Sequence, residues 1–478
     1  MEPGNQSAVQ ADAPLSRYGS GLFVRLGMTP QRAIVCALVL TGLISYVNAI
    51  VAALGLRHAG SIFFDLNDLF ADFFKLVSSY PGRSPVGLEP WLPARWLQII
   101  NGYLANNPYG HDPALIQQQF SHFGMPPGAQ IFYVISRHLF DVVGPFFTYI
   151  CFVALAILWL MWCLAMARIE WRKKPWLVAC VLLLYPSMFA FTRGNLPSYF
   201  SALAITSAFV MILKPKYSLI LSALFLGFAV GFRPNNILFL PLLSVIGGQA
   251  RSANDEKKAF IVNVIIVALL LIFYFSFLRV IYPAFALSRF VDSYRWISQN
   301  YDVRLDNVRF VSSPLQIAIY AVNRFFGGDA AVALSSFVRA MLIACGIGIC
   351  LIGYWFCGRR VMGIPSSVLL CSVGMIIATP WFADYHLLVI LVPLLCANYL
   401  EARDASGRLV WVRSGAAMLR PIDYTAILLL LVPKPFALSA VLPNAGALIN
   451  PIILFTYAGV VIWSRRSWLM FRRDVAKI

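Results

Sequence analysis

The sequence predicts an all-α polytopic membrane protein. Three observations carry that prediction. Hydrophobic residues make up 60% of the 478 residues and charged residues only 12%, with a mean hydropathy of +0.75. A soluble domain carries about 25% charged residues, and one water-soluble core does not hide this much apolar surface. The apolar residues also come in continuous runs, not in the alternation of a membrane β-barrel. Finally, the basic residues collect in the short connections between those runs, the pattern of a multi-pass protein.

Taken in order, residues 1–32 are polar and rich in Gly and Pro, and Arg17, Arg25 and Arg32 mark them as a cytoplasmic tail. Ala33–Gly55 is the first predicted span; it follows a long polar stretch and is too long for a signal-peptide core. A long outer loop, 56–144, comes next. It holds helical candidates at Ile62–Ser79 and Trp91–Ala105 and an apolar helix after Pro126-Pro127. Within that last helix, Arg137, His138 and Asp141 point to an interfacial segment over Ala129–Val143 and away from a further span.

Further spans are predicted at Pro145–Met166, Pro175–Phe191, Leu196–Leu213, Ser218–Phe232, Asn235–Ile246, Phe260–Pro283, Ala330–Cys357, Pro365–Phe382, His386–Leu400, Ile422–Val432 and Asn444–Trp463. With the first, that is about 12 transmembrane helices in one domain over 33–463, several shorter than the ~20 residues that cross a bilayer squarely. Short pieces of this kind survive where they border a protein cavity, often as broken pairs. A second large outer loop, 284–329, mixes Arg, Asp and aromatics in the manner of surface helices. Residues 464–478 form a basic cytoplasmic tail.

Every short connection predicted to lie inside is basic: Arg168–Lys174, Lys214 with Lys216, Arg251–Lys258, Arg359 with Arg360, and Arg403–Arg420. Both termini are therefore expected in the cytoplasm. The same topology accounts for the net charge of +18, so no nucleic-acid partner is implied. The nine cysteines fall inside apolar runs and the five histidines lack ligand spacing, so neither a disulfide framework nor a metal site is expected. No cofactor and no obligate protein partner is indicated; the lipid bilayer is the partner that composition demands. Gly346, Gly348 and Gly353 lie inside an apolar span, where small residues let helices approach.

The predicted topology puts several ionisable residues on the outer face. Ser61–Pro81 carries Asp65, Asp68 and Asp72 among Phe and Leu. A carboxylate in such a setting is suited to taking a proton from an attacking hydroxyl; the spacing of three and four fits the wet stripe of an interfacial helix equally well. Arg193 and Asn195 stand in Thr-Arg-Gly-Asn, and Arg233 in Phe-Arg-Pro-Asn-Asn, both at outer turns. Fixed guanidinium charge there would hold a lipid phosphate, although Arg also snorkels at span ends. Asp384 and His386 stand in Trp-Phe-Ala-Asp-Tyr-His. They are candidates to bind sugar or to pair with an arginine, and Asp384 also suits a helix cap.

These motifs resemble glycosyltransferase family 87, of the membrane-embedded GT-C fold. Phe70-Ala71-Asp72-Phe73-Phe74-Lys75 is similar to the family's first-loop pattern, which often reads Phe-Met-Asp-Phe-Phe-Asn. Met125-Pro126-Pro127 stands where the family has Tyr-Pro-Pro, Thr192-Arg193-Gly194-Asn195 where it has Glu-Arg-Gly-Asn, and Arg233-Pro234 where it has a Lys-Pro motif. Asp384-Tyr385 matches a late Asp-Tyr.

The resemblance implies transfer of a hexose, typically mannose, from a polyprenyl-phosphate-linked sugar to a hydroxyl of a glycan or glycolipid acceptor, with inversion, outside the cytoplasm. It implies Asp72 as general base, with Asp68 one helical turn away as the fallback. Lys75, Arg193, Asn195, Arg233, Asp384 and His386 are then the substrate-binding candidates. The alternatives from other classes are a lipid-linked saccharide flippase, which would also need intramembrane charge and broken spans, and an oligosaccharide polymerase or ligase.

Overall fold

The computed structural model describes residues 30–53, 73, 74, 77, 126–166, 176–212, 218–251, 255–281, a few isolated positions between 291 and 325, and then 328–359, 361–379, 384–399, 419–432 and 445–475. Among these residues the protein is all-α. The helices are α1 (Pro30–Ala53), α2 (Pro127–Val143), α3 (Pro145–Met166), α4 (Trp176–Leu183), α5 (Tyr185–Arg193), α6 (Leu196–Ile212), α7 (Ser218–Phe232), α8 (Leu240–Arg251), α9 (Asp255–Ile281), α10 (Gly328–Gly358), α11 (Ile364–Ala378), α12 (Leu391–Tyr399), α13 (Pro421–Leu431) and α14 (Ala445–Val475). Two 3-10 helices, Pro234–Phe239 and Asp384–Ile390, lead into α8 and α12.

Three helical stretches among the described residues are long and apolar enough to cross a membrane: Pro145–Met166, Glu256–Ile281 and Phe337–Gly358, with mean hydropathies of 2.3, 2.8 and 2.1. Much of each turns outward. On α9, Phe260, Ile261, Ile265, Leu269, Ile272 and Phe273 are all exposed. An apolar exterior of that extent is stable against lipid, not water, so the chain is an integral membrane protein built of many helices.

Chain chemistry sets the helix ends. Pro126 and Pro127 open α2, since a missing N–H costs nothing in a first turn. Gly144, at φ 95°, separates α2 from Pro145 of α3. The predicted span Pro175–Phe191 is two helices. Leu184 is extended (φ −60°, ψ 144°), and Pro186 sits in the first turn of α5, where it cannot donate back to the end of α4. The predicted spans beginning at Asn235 and at His386 likewise divide, each into a 3-10 turn and an α-helix. The segment predicted as interfacial, Ala129–Val143, is helical within α2, with Arg137 and Asp141 paired at 3.7 Å across one turn. The last helix runs without interruption from the predicted span into the basic tail, as far as Val475.

α6 lies at the centre. All its residues but Ala202 are buried, and it packs against α3, α5, α7, α8, α12 and the 3-10 turn Asp384–Ile390. α10 and α11 form the most intimate pair. A Cβ on Gly374 would stand 2.6 Å from the Gly346 carbonyl oxygen, and one on Gly353 2.9 Å from Cys371 Sγ. Gly346 and Gly353 thus act as the small residues that close approach requires, whereas Gly348 meets nothing within 4 Å.

α11 joins two polar clusters. Ser366, in its first turn, donates to Asp423, and Thr379, just past its end, accepts from Asn235. Thirteen residues at 1.5 Å each put those contacts roughly 20 Å apart. The connections that sequence charge assigns to one face meet at the Ser366 end: Arg420 and Asp423 begin α13 there, and Tyr457 of α14 donates to Asp423. Glu256, from the Arg251–Lys258 connection, accepts from Tyr354 near the end of α10. The turns assigned to the opposite face meet at the Thr379 end.

Candidate functional site

The site is built on three chain breaks at that end. The first is the turn Thr192–Asn195. α5 stops in a Schellman arrangement: Gly194 N–H donates to Phe191 O (3.1 Å) and Asn195 N–H to Ala190 O (2.8 Å). Gly194 takes φ 76°, ψ 20°, a left-handed conformation that glycine adopts without a Cβ penalty. The turn is pinned from α3, where Tyr149 Oη donates to Phe191 O at 2.5 Å. Arg193 ends α5 half-buried, and Asn195 is buried immediately before α6.

The second break is Arg233-Pro234. Residues before proline are driven out of the helical region, and Arg233 is extended at φ −149°, ψ 98°. It therefore leaves the axis of α7 and turns its side chain across to α6. The third is the 3-10 turn Asp384–Ile390, which carries His386, buried to 6% exposure.

Arg233 ties the three together. Its Nη2 donates to Ser198 Oγ at 2.7 Å, and Ser198 Oγ donates to Asn195 Oδ1 at 2.5 Å. Its guanidinium also lies against His386, with Nη1 3.3 Å from Nδ1 and Nη2 in contact with Nε2. A guanidinium has donors only, so the imidazole is the acceptor in this pair. The neighbouring amides lock the turn: Asn235 Nδ2 donates to Thr379 Oγ1 (2.7 Å), Thr379 Oγ1 to Met375 O (2.7 Å), and Asn236 Nδ2 to Ser201 Oγ (2.7 Å) and Ala229 O (3.0 Å).

These groups open on a small cleft lined by Ser201, Ala202, Arg233, Asn235, Asn236, Met375, Thr379, His386 and Val389, with a volume of about 30 Å³. That is room for a water or two, or for the oxygens of an oxyanion. Five N–H donors in a fixed fork match a phosphate or carboxylate. Among the described residues no group of three or more His, Cys, Asp or Glu side chains gathers.

Of the residues singled out from sequence, Arg233, His386 and Asn195 are brought into one hydrogen-bonded cluster, and Arg193 lies two residues from Asn195 in the same turn. Of the two roles left open for His386, sugar binding or pairing with an arginine, the second is the contact seen. Asp384 opens the 3-10 turn; its side chain, like Asp68, Asp72 and Lys75 as a whole, lies outside the described residues.

The two residues that follow Asp72 are described. Phe73 and Phe74 are fully buried in an aromatic cluster with Phe132 and Phe140 of α2 and Tyr149 and Phe152 of α3. Two rings tie that cluster to the site. Tyr149, 5.1 Å from Phe73 between centroids, binds the Arg193 turn, and Phe132, 6.2 Å from Phe73, packs 6.3 Å from Phe232, the residue before Arg233.

Sequence reasoning passed over Ser198, Ser201 and Thr379. Each is a small hydroxyl in or next to the end turn of an apolar helix, three residues from Asn195, on α6 opposite Asn236, and before Pro380. Such positions are the available signal. Compared with protein-family models, with curated proteins and with solved structures, the chain finds no match.

Proposed function

We propose that the chain is a membrane glycosyltransferase of GT-C architecture, similar to family 87, with about 12 transmembrane helices. It transfers a hexose, mannose first among the candidates, from a polyprenyl-phosphate donor to a hydroxyl of a glycan or glycolipid. The supporting observation is the Arg233–His386–Ser198–Asn195 cluster, a fixed cation beside a small polar cleft at one end of a lipid-exposed bundle. A group of that kind suits the phosphate of a lipid-linked donor. The buried aromatic cluster directly after Asp72, which packs towards both the Arg193 turn and Phe232, supports Asp72 as its partner in catalysis.

In this reading the Asp72 carboxylate takes the proton of the acceptor hydroxyl. The hydroxyl oxygen attacks the anomeric carbon from the face opposite the phosphate. The bond from that carbon to the phosphate oxygen breaks, inverting the centre, and polyprenyl phosphate leaves with the electron pair. Arg233, aided by Arg193 and His386, holds the charge that accumulates on it. Asp384, Asp68 and Lys75 complete the substrate surroundings. The basic end of the bundle faces the cytoplasm with both termini, so the cleft faces the periplasm of a bacterial inner membrane.

The deciding experiment incubates the purified protein with a panel of polyprenyl-phosphate sugars and an acceptor pool. Release of free polyprenyl phosphate with formation of a glycoside supports the reading. A donor that crosses the bilayer intact, with no bond broken, identifies a flippase instead.

A further inference from the structure

The end of α7 that leads into Arg233 is held through glycines by two neighbouring helices. Gly231 faces Tyr274 of α9, whose ring occupies the space a Cβ would need. Gly128, in the first turn of α2, rests on the peptide that joins Gly231 to Phe232. A Cβ on Gly128 would stand 2.7 Å from the Gly231 carbonyl carbon, 2.9 Å from its oxygen and 3.2 Å from Phe232 N. These are backbone atoms, which no change of rotamer can move aside. Arg233 starts from the same turn, since its N–H donates to Ala229 O at 2.8 Å.

α2 also carries the rings on which the residues after Asp72 are packed. Phe73 lies 6.2 Å from Phe132 and 5.6 Å from Phe140, and Phe74 lies 5.9 Å from Phe140, between centroids. Phe132, one turn beyond Gly128, reaches Phe232 at 6.3 Å. One helix thus bears on the Arg233 turn through a backbone contact and on the segment after Asp72 through its rings.

We propose that Gly128 is a positioning residue: by letting α2 seat directly on the backbone of α7, it sets the separation between the Arg233 guanidinium and the Asp72 carboxylate. This role rests on the glycosyltransferase reading, in which those two groups act on opposite faces of the anomeric carbon. A methyl group at position 128 must stand off to about 3.5 Å from a carbon, which moves α2 by roughly 1 Å, and a misplacement of that size costs about 100-fold in rate. Ser198 and His386, which hold the Arg233 guanidinium, sit on α6 and on the Asp384–Ile390 turn, so the donor phosphate keeps its cation.

The test uses the full chain in nanodiscs. Donor affinity, single-turnover transfer rate and unfolding temperature are measured on each variant, with the polyprenyl-phosphate sugar that the wild type turns over. G128A is expected to transfer about 100-fold more slowly with its donor affinity unchanged. G227A is the control for a merely structural role. Gly227, one turn earlier on α7, faces the side chain of Leu270, so the unfolding temperature of G227A falls while its rate holds. F132L, which trims the ring shared by Phe73 and Phe232, loses a smaller part of the rate. Equal rates in G128A and wild type overturn the positioning role. So does an equal loss of rate in G227A, or a donor affinity in G128A that falls in step with the rate. If G128A does not fold, F132L decides: a wild-type rate there overturns the role. A wild type that transfers no sugar overturns the glycosyltransferase reading and the positioning role with it.

Discussion

Arg233→Ala is the substitution on which the proposed donor site stands or falls. The wild-type guanidinium donates to Ser198 and lies against His386 beside the cleft. A charge-assisted hydrogen bond to a partly desolvated phosphate contributes about 1.5–3 kcal/mol, so losing one weakens donor binding roughly 10- to 150-fold. The same change leaves the buried His386 without the donor it faces, at about 1–3 kcal/mol in stability. The two effects separate in the assay: equilibrium binding of a labelled polyprenyl-phosphate hexose to detergent-purified protein, binding of the acceptor in parallel, and thermal unfolding of the same samples. Donor affinity is expected to fall while acceptor affinity holds. Arg233→Lys keeps the charge but not the fork, and should recover part of the loss. Unchanged donor affinity in a folded Arg233→Ala protein would refute the phosphate role outright.

Asp72→Asn should abolish transfer without altering expression or the unfolding temperature, because it removes the proposed proton acceptor and little volume; full turnover by this variant removes Asp72 as the base. Thr379→Val deletes the 2.7 Å contact that ties Asn235 to α11 and leaves that amide short of a partner. It should cost about 1–3 kcal/mol of stability and weaken donor binding less than Arg233→Ala does, measured in the same titration. Asp423→Asn places an amide against donors from Ser366, Arg420 and Tyr457. Breaking a buried ion pair costs about 3–5 kcal/mol, so a large drop in unfolding temperature is expected, and an unchanged one would show that the cluster does not hold α11, α13 and α14 together.

Parts of this architecture were plain in the sequence. Pro145–Met166 and Ser218–Phe232 have the same limits when read from hydropathy and when observed, because each is an unbroken apolar run between turn formers or basic residues. The break after α4 was less visible, since Pro186 is also compatible with a kinked single span. The 3-10 start of Asp384–Ile390 was hidden altogether: Asp-Tyr-His-Leu-Leu-Val-Ile contains neither Pro nor Gly. Arg233 was found through its proline, and its partner Ser198 was not, because a serine on an apolar helix is unremarkable until the facing element is known. Nothing in the local sequence singles out Asp423. Its partners Ser366 and Tyr457 lie 57 and 34 residues away, and local spacing carries no trace of a contact so distant.

The two clusters on α11 bear on function together. A single apolar helix of 15 residues is short for a bilayer, yet both its ends are buried in polar networks and not presented to lipid. At one end a carboxylate is saturated by four donating groups, and the network is closed around it. At the other, the Arg233 guanidinium donates to Ser198 and lies against His386, beside a small open cleft. The Asp423 end therefore has the character of a fastening, whereas the Arg233 end borders the cleft that is proposed to take the donor phosphate.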